Sequence, residues 1–374
     1  MTTSISAGFS FPFGKGLATL LFLAAAAVVA GCGGAQAVQG EFRLQIDEEG
    51  LRNPVAWPAP PEVPRYLYAG ELIGERNFVD TSEGFQRGAK NVFNWLVGLF
   101  EDQPDELTLQ RPQTGVVDAT GRVMVTDTSR NAVYVFDEAR GELQIWEYAD
   151  GLQRFRAPIG IAAGRNGEVL VSDAELGHVV RLDPTGKPIG AIGKGMFQRP
   201  TGLARDPVRG LVYVADTHAH DIKVFDDDGN LVRVIGFRGE GEGQFNYPTH
   251  LAFARGELYV TDTMNNRVQV FNGDGELVDR MFGRRGLYVG QMVRPKGVAV
   301  DDEGDVYVVE GYYDHLLVYN AKGEFLLGIG GTGAGIGKFF LPSGVWVDSH
   351  NRIYVADMFN GRVAVFQFLG GHDG

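Results

Sequence analysis

Three histidines are the residues of this chain best placed to do chemistry. Pro248-Thr-His250 carries an imidazole where related segments read Pro158-Ile-Gly160, Pro200-Thr-Gly202, Pro295-Lys-Gly297 and Pro342-Ser-Gly344. Just upstream, Asp216-Thr-His-Ala-His220 supplies His218 and His220. Three converging imidazoles with a position left for water are what catalytic zinc takes, so His250, His218 and His220 form a candidate zinc site. His218 and His220 can ligate together only if their loop turns. The other reading is that all three line a water-filled channel as polar groups. Arg294, Lys296, Tyr312, Tyr313, Met264 and Phe359 are expected on the same rim, and this mixture suits a protein or peptide contact surface. No Ser/His/Asp arrangement and no close carboxylate pair follows from spacing.

The elements that must position these residues are repeats. An acidic residue closes a short β-rich run at Asp127, Asp173, Asp216, Asp262, Glu310 and Asp357, with spacings of 46, 43, 46, 48 and 47 residues. A period of roughly 40 to 50 residues with about four strands per copy is the pattern of a β-propeller blade, so the fold is all-β with six blades. In the copy around Asp262, Pro248-Thr-His-Leu-Ala-Phe reads as the inner strand, Glu257-Leu-Tyr-Val-Thr as the second, Arg267-Val-Gln-Val-Phe as the third and Glu276-Leu-Val-Asp-Arg-Met as the outer. In that connectivity the start of the inner strand, the second-to-third-strand loop and the blade junction share one face. The last copy lacks an outer strand, and residues 66–74 are expected to supply it, latching the two ends of the chain in one sheet.

Asn272-Gly-Asp-Gly275 and Asp226-Asp-Asp-Gly229 hint at calcium, but the glycine spacing and the missing downstream Glu fit a hairpin turn instead. Gly330-Gly-Thr-Gly-Ala-Gly-Ile-Gly337 looks like a phosphate cradle. However, Gly236-Phe-Arg-Gly-Glu-Gly-Glu-Gly243 fills the same junction in another copy and no helix follows either, so both read as blade-to-blade loops. Asp80-Thr-Ser-Glu83, then Phe85, Ala89, Val92, Phe93, Leu96 and Phe100, predict an inserted amphipathic helix over about 81–102.

At the N-terminus, Lys15, an apolar run to Ala30 and then Val29-Ala30-Gly31-Cys32 read as an export signal over 1–31. Val-Ala-Gly-Cys resembles the lipobox of bacterial lipoproteins, which makes Cys32, the single cysteine, the lipidated first residue of the mature chain. Gly33 and Gly34 after it resemble the sorting signal of outer-membrane lipoproteins. Residues 32–64, ending in Trp57-Pro-Ala-Pro-Pro-Glu-Val-Pro64, are expected as a Pro-rich tether, and 65–374 as the propeller. The net charge of −13 argues against nucleic acid as a partner.

Pro-x-Gly-Val/Leu-Ala, then Gly-x-Val/Leu-Tyr-Val-x-Asp, then Asn-x-Arg-Val-x-Val-Phe resembles the NHL repeat, clearest in 199–225, 248–271 and 342–366, with the resemblance covering 110–368. It implies a six-bladed ring and leaves the activity open. NHL rings serve as protein-binding and RNA-binding modules, as sensor domains of kinases and, in one branch, as the lyase that completes peptide amidation. His250 corresponds to a Pro-x-His zinc ligand of that lyase, and Gly311-Tyr312 to its Gly-Tyr; the lyase takes ligands from three Pro-x-His sites, whereas this chain has one. The expectation is a lipid-anchored monomeric ring, outer-membrane and facing the periplasm, that binds a protein, peptide or glycan without catalysis. The alternative is a metal-dependent lyase or hydrolase related to the amidating lyase or to gluconolactonase-like propellers.

Overall fold

The computed structural model describes residues 36–79 and 106–370. The signal segment, Cys32 and the helix expected over 81–102 lie outside the described residues. From Ala37 onward the chain forms one compact unit.

Six antiparallel sheets follow one another as blades. Blade 4 is typical: the inner strand Pro248–Ala254 pairs with Glu257–Asp262, which pairs with Arg267–Asn272, which pairs with Leu277–Phe282. Each second strand is buried at every residue or at every residue but its first, because both faces pack on neighbouring blades, and Val, Tyr and Leu fill it. The core is accordingly a set of layers between blades: Tyr213, Ile222 and Val224 of blade 3 meet Leu258 and Val260 of blade 4, and Val268 and Phe282 of blade 4 meet Val306 and Val308 of blade 5.

Blade 6 takes three strands from the end of the chain, Val345–Val347, Arg352–Asp357 and Arg362–Phe368, and its fourth, Tyr66–Leu72, from the beginning. Val363 pairs with Leu72 and Phe366 with Tyr68. Outside Tyr66–Leu72 runs a further short strand, Ala56–Trp57. The segment expected to be a tether therefore lies on the ring from Ala37 onward. Gly40 N–H donates to the Gly141 carbonyl at 2.9 Å, Gln45 and Glu71 exchange backbone bonds at 3.0 and 2.8 Å, and the Trp57 ring meets Phe366 edge-on at 5.6 Å. The physical reason is Trp57: an indole in a proline-dense stretch buries apolar area against the blade and so fixes backbone that composition alone reads as solvated.

Candidate functional site

The anchoring acids are structural. Asp127 accepts four backbone N–H bonds, from Gln110 and Arg111 in the blade junction and from Ser129 and Arg130 in the following loop, at 2.7–2.9 Å. Glu310 does the same for Val293, Arg294, Tyr312 and Tyr313. In blades 1, 2 and 5 one carboxylate thus ties the junction to the second-to-third-strand loop through backbone N–H groups, whereas Asp262 and Asp357 reach the loop through the Asn265 and Asn360 amides and Asp216 pairs with Lys223. Arg267 and Arg362 complete the knot: each donates Nε to its anchoring acid at 2.9 Å and Nη2 to carbonyls of the glycine-rich junction. Those loops present carbonyls to guanidinium groups, so they are junctions and not anion cradles. The hairpin Asp and Asn residues accept backbone N–H bonds two and four residues on, as at Asp226 and Asn272.

Inner strands meet tightly around the axis. A Cβ on Gly202 would stand 2.6–2.9 Å from backbone atoms of Thr249, His250 and Leu251, and a Cβ on Gly297 2.6–2.8 Å from Gly344 and Val345. Below this neck lies a channel cavity of about 410 Å³ whose lining includes Thr114, Ile161, Leu203, His250, Val298 and Trp346. The Trp346 indole lies flat on Tyr354, centroids 5.5 Å apart, with its Nε1 buried and without a partner.

His250 stands at the upper end of this channel, and its hydrogen-bond chain fixes its tautomer. Thr263 Oγ1 donates to the Pro295 carbonyl at 2.9 Å, so the 2.7 Å contact between Thr249 and Thr263 must use the Thr249 hydroxyl proton. Thr249 Oγ1 can then only accept from His250, 3.2 Å from Nδ1. His250 carries its proton on Nδ1, and the bare Nε2 is a buried acceptor without a partner. Burial first, and the Lys296 charge second, hold this imidazole down to about 3, so it is neutral across the physiological range.

The three histidines do not converge. His220 adopts a left-handed backbone (φ 60°), which turns its ring onto Tyr247 at 4.5 Å, and its Nδ1 accepts the Tyr247 N–H at 3.2 Å. His218 is exposed in the loop above. Among the described residues no group of three or more His, Cys, Asp and Glu side chains could hold a metal. The zinc site expected of His250, His218 and His220 therefore does not fit this donor set, since the loop turn that would let His220 ligate spends its Nδ1 on backbone.

The rim residues fall at corresponding points of the repeat. Met264, Tyr312 and Phe359 occupy the same repeat position, two residues after the anchoring acid, and are 54%, 58% and 43% exposed. Blades 1 to 3 carry Ser129, Glu175 and His218 there. Phe340 packs on Phe359 at 5.5 Å, and Tyr313 on Tyr312 at 4.8 Å. An apolar arc thus runs over blades 4 to 6, facing a polar arc over blades 1 to 3. Arg294 is exposed; Lys296, half-buried, has its ammonium held below its ordinary range by burial and then by Arg294. Residue types alone did not single out Arg111, Arg156 and Arg199, although their register, one or two residues before each inner-strand proline, puts them on this face.

A family model described as a 6-bladed beta-propeller matches residues 291–372, and the NHL repeat matches 197–225 and 245–271. Among curated proteins, brain tumor protein of Drosophila melanogaster is 30% identical over 138 residues, which is 36% of this chain and 12% of that protein. The peptidylglycine alpha-amidating monooxygenase of Rattus norvegicus is 31% identical over 119 residues, 28% of this chain and 12% of that one. The chain thus spans about an eighth of the length of these relatives. Similar solved structures include an auxiliary nutrient binding protein from Bacteroides thetaiotaomicron (TM-score 0.57, 13% identity, 71% of each chain). A streptogramin B lyase (0.53, 13%, covering 70% of this chain and 94% of that one) and a gluconolactonase from Xanthomonas campestris (0.53, 17%, covering 70% and 86%) are also similar. Binding proteins and enzymes share this architecture, so the likeness speaks to fold: the chain is a six-bladed β-propeller that carries NHL repeats.

Proposed function

We propose that this chain is a non-catalytic binding propeller of the bacterial envelope, held by a lipid at Cys32 to the outer membrane and facing the periplasm as a single ring. Its loop face would take a protein, peptide or glycan partner. The observation that carries this reading is the apolar arc. Met264, Tyr312, Phe340 and Phe359 are 43–58% exposed beside the blade junctions that the anchoring acids hold. Aromatic and Met side chains on a rigid frame are suited to recognition at low entropic cost. A metal-dependent lyase or hydrolase would need donors beside His250 that the described residues do not bring there.

The test is capture from envelope extracts by the full chain, native and with Tyr312→Asp and Arg294→Glu together. A partner retained by the native protein and lost by the variant is expected; equal retention by both overturns the assignment of this face. Cys32→Ser should move the protein from the membrane to the soluble fraction, and continued detergent-phase partition would remove the anchor from the proposal.

A further inference from the structure

Cationic side chains circle the mouth of the channel on the loop face. Arg111, Arg199 and Arg294 each directly precede an inner-strand proline, Arg156 stands one residue earlier in its blade, and Lys296 directly follows its proline. Their backbones are fixed, because the N–H groups of Arg111, Arg156, Arg199 and Arg294 all bond to anchoring acids. Their charges are not neutralised: among the described residues none of the five forms an ion pair, whereas Lys223, Arg267 and Arg362, on the third strands of blades 3, 4 and 6, are each paired to an anchoring acid. Exposed carboxylates also stand on this face, Glu175 on the rim and Asp150, Glu240 and Glu242 in the blade junctions, and among the described residues none of the four forms an ion pair. The cations are also joined to the apolar arc, for the Arg111 guanidinium lies over the Phe359 ring, 5.4 Å from its centroid.

A rim of unpaired cations in a chain of net charge −13 is a local positive patch on an acidic surface, and such a patch attracts an anionic group. We infer that, if the loop face is the binding face, its partner is an acidic peptide segment that also carries apolar side chains. Its carboxylates meet Arg111, Arg156, Arg199, Arg294 and Lys296, and its apolar side chains meet Met264, Tyr312 and Phe359. Two features favour a peptide over a polyanion. The acidic remainder of the surface repels a long run of phosphates, and half of the face offers aromatic and thioether surface that only a ligand with apolar groups would use. Planar guanidinium forks can bind carboxylates through two parallel hydrogen bonds.

The probes are a short fluorescent peptide alternating glutamate and phenylalanine, the same peptide with lysine for glutamate, polygalacturonate and oligouridylate. Each is titrated into the full chain at low and high salt. The glutamate peptide alone is expected to bind, with affinity falling as salt rises. Arg199→Glu with Lys296→Glu should weaken it by roughly tenfold or more, while Lys187→Glu, on an exposed hairpin of the opposite face, leaves it unchanged. Equal binding of the lysine peptide would overturn the inference and leave the binding-face reading intact. So would preference for polygalacturonate, which assigns the face to an acidic glycan, or for oligouridylate, which assigns it to nucleic acid. Failure of every probe to bind would overturn the inference, and the binding-face reading would then stand or fall on capture from extracts. A variant that keeps its melting profile but loses binding separates charge recognition from misfolding.

Discussion

Arg362 and Glu71, from opposite ends of the chain, meet across the closing sheet of blade 6 with Nη1 2.7 Å from Oε2. The same guanidinium holds Asp357, which is fully buried, at 2.9 Å. Arg362→Met leaves that carboxylate without its counter-charge and is expected to cost about 3–5 kcal/mol, the usual penalty for breaking a buried pair from one side. Glu71→Gln removes only the outer contact and should cost about 1 kcal/mol. Urea denaturation followed by tryptophan fluorescence measures both. Equal losses would mean that the latch is held by strand pairing rather than by this arginine.

The channel neck makes a second demand. Gly202→Ala places a methyl within 2.9 Å of backbone in the next inner strand, where nothing can move without shifting the blade, and should cost about 1–3 kcal/mol. Gly151, in an exposed turn with no atom near its missing Cβ, should accept alanine within about 0.5 kcal/mol. Similar urea midpoints for the two variants would show that the blades are not in close contact at the neck.

The visibility of these features in the sequence differed for physical reasons. The blades were legible because each anchoring acid accepts backbone N–H groups from its blade junction, and that requirement repeats at every turn of the ring. His250 was legible as an oddity because it stands where Gly160, Gly202 and Gly297 are held tightly against neighbouring strands. Its partnership with His218 and His220 was not legible, since a positive φ at His220 turned that ring to Tyr247. Spacing carries no sign of such a turn. Nor does proline content reveal that Trp57 docks its segment on Phe366. The free cations at Arg111, Arg156 and Arg199 could have been found by register, but whether a charge is paired depends on contacts between blades.

His250 should be visible in the acid limb of stability. Its ordinary value is 6.5 and burial lowers it to about 3 in the fold, so between these values the unfolded chain holds a proton that the native ring excludes. Stability therefore falls as pH drops through 6.5 toward 3, with a slope of up to about 1.4 kcal/mol per pH unit from this group. His250→Asn should flatten the limb over that window relative to native protein. Superimposable profiles would place the imidazole in contact with water.

Lys296 carries a cost of the opposite sign in usefulness. Its ammonium is held below the ordinary lysine value of 10.5, so the unfolded chain binds that proton more tightly. The penalty is fully present below the folded value and lifts as pH rises through it toward 10.5. Lys296→Met should raise the urea midpoint at neutral pH and lose partner capture. The gain should vanish at a pH above both values, where lysine is neutral in either state. A variant no more stable than native at neutral pH would show that Lys296 is solvated and that the mouth stores no unspent charge.

Met264, Tyr312 and Phe359 complete the case for the face. Each has a bonded backbone N–H and a side chain at least 43% exposed, so serine should change stability by no more than about 0.5 kcal/mol at Met264 and by about 1 kcal/mol at Tyr312 or Phe359, which lose a ring contact. The three replaced together should nonetheless abolish capture of the partner, because a contact surface concentrates its energy in a few large side chains. Thermal melts and capture from extracts separate the two effects. Capture that survives with an unchanged melt would take the apolar arc out of the binding surface and leave the cationic rim as its remaining support.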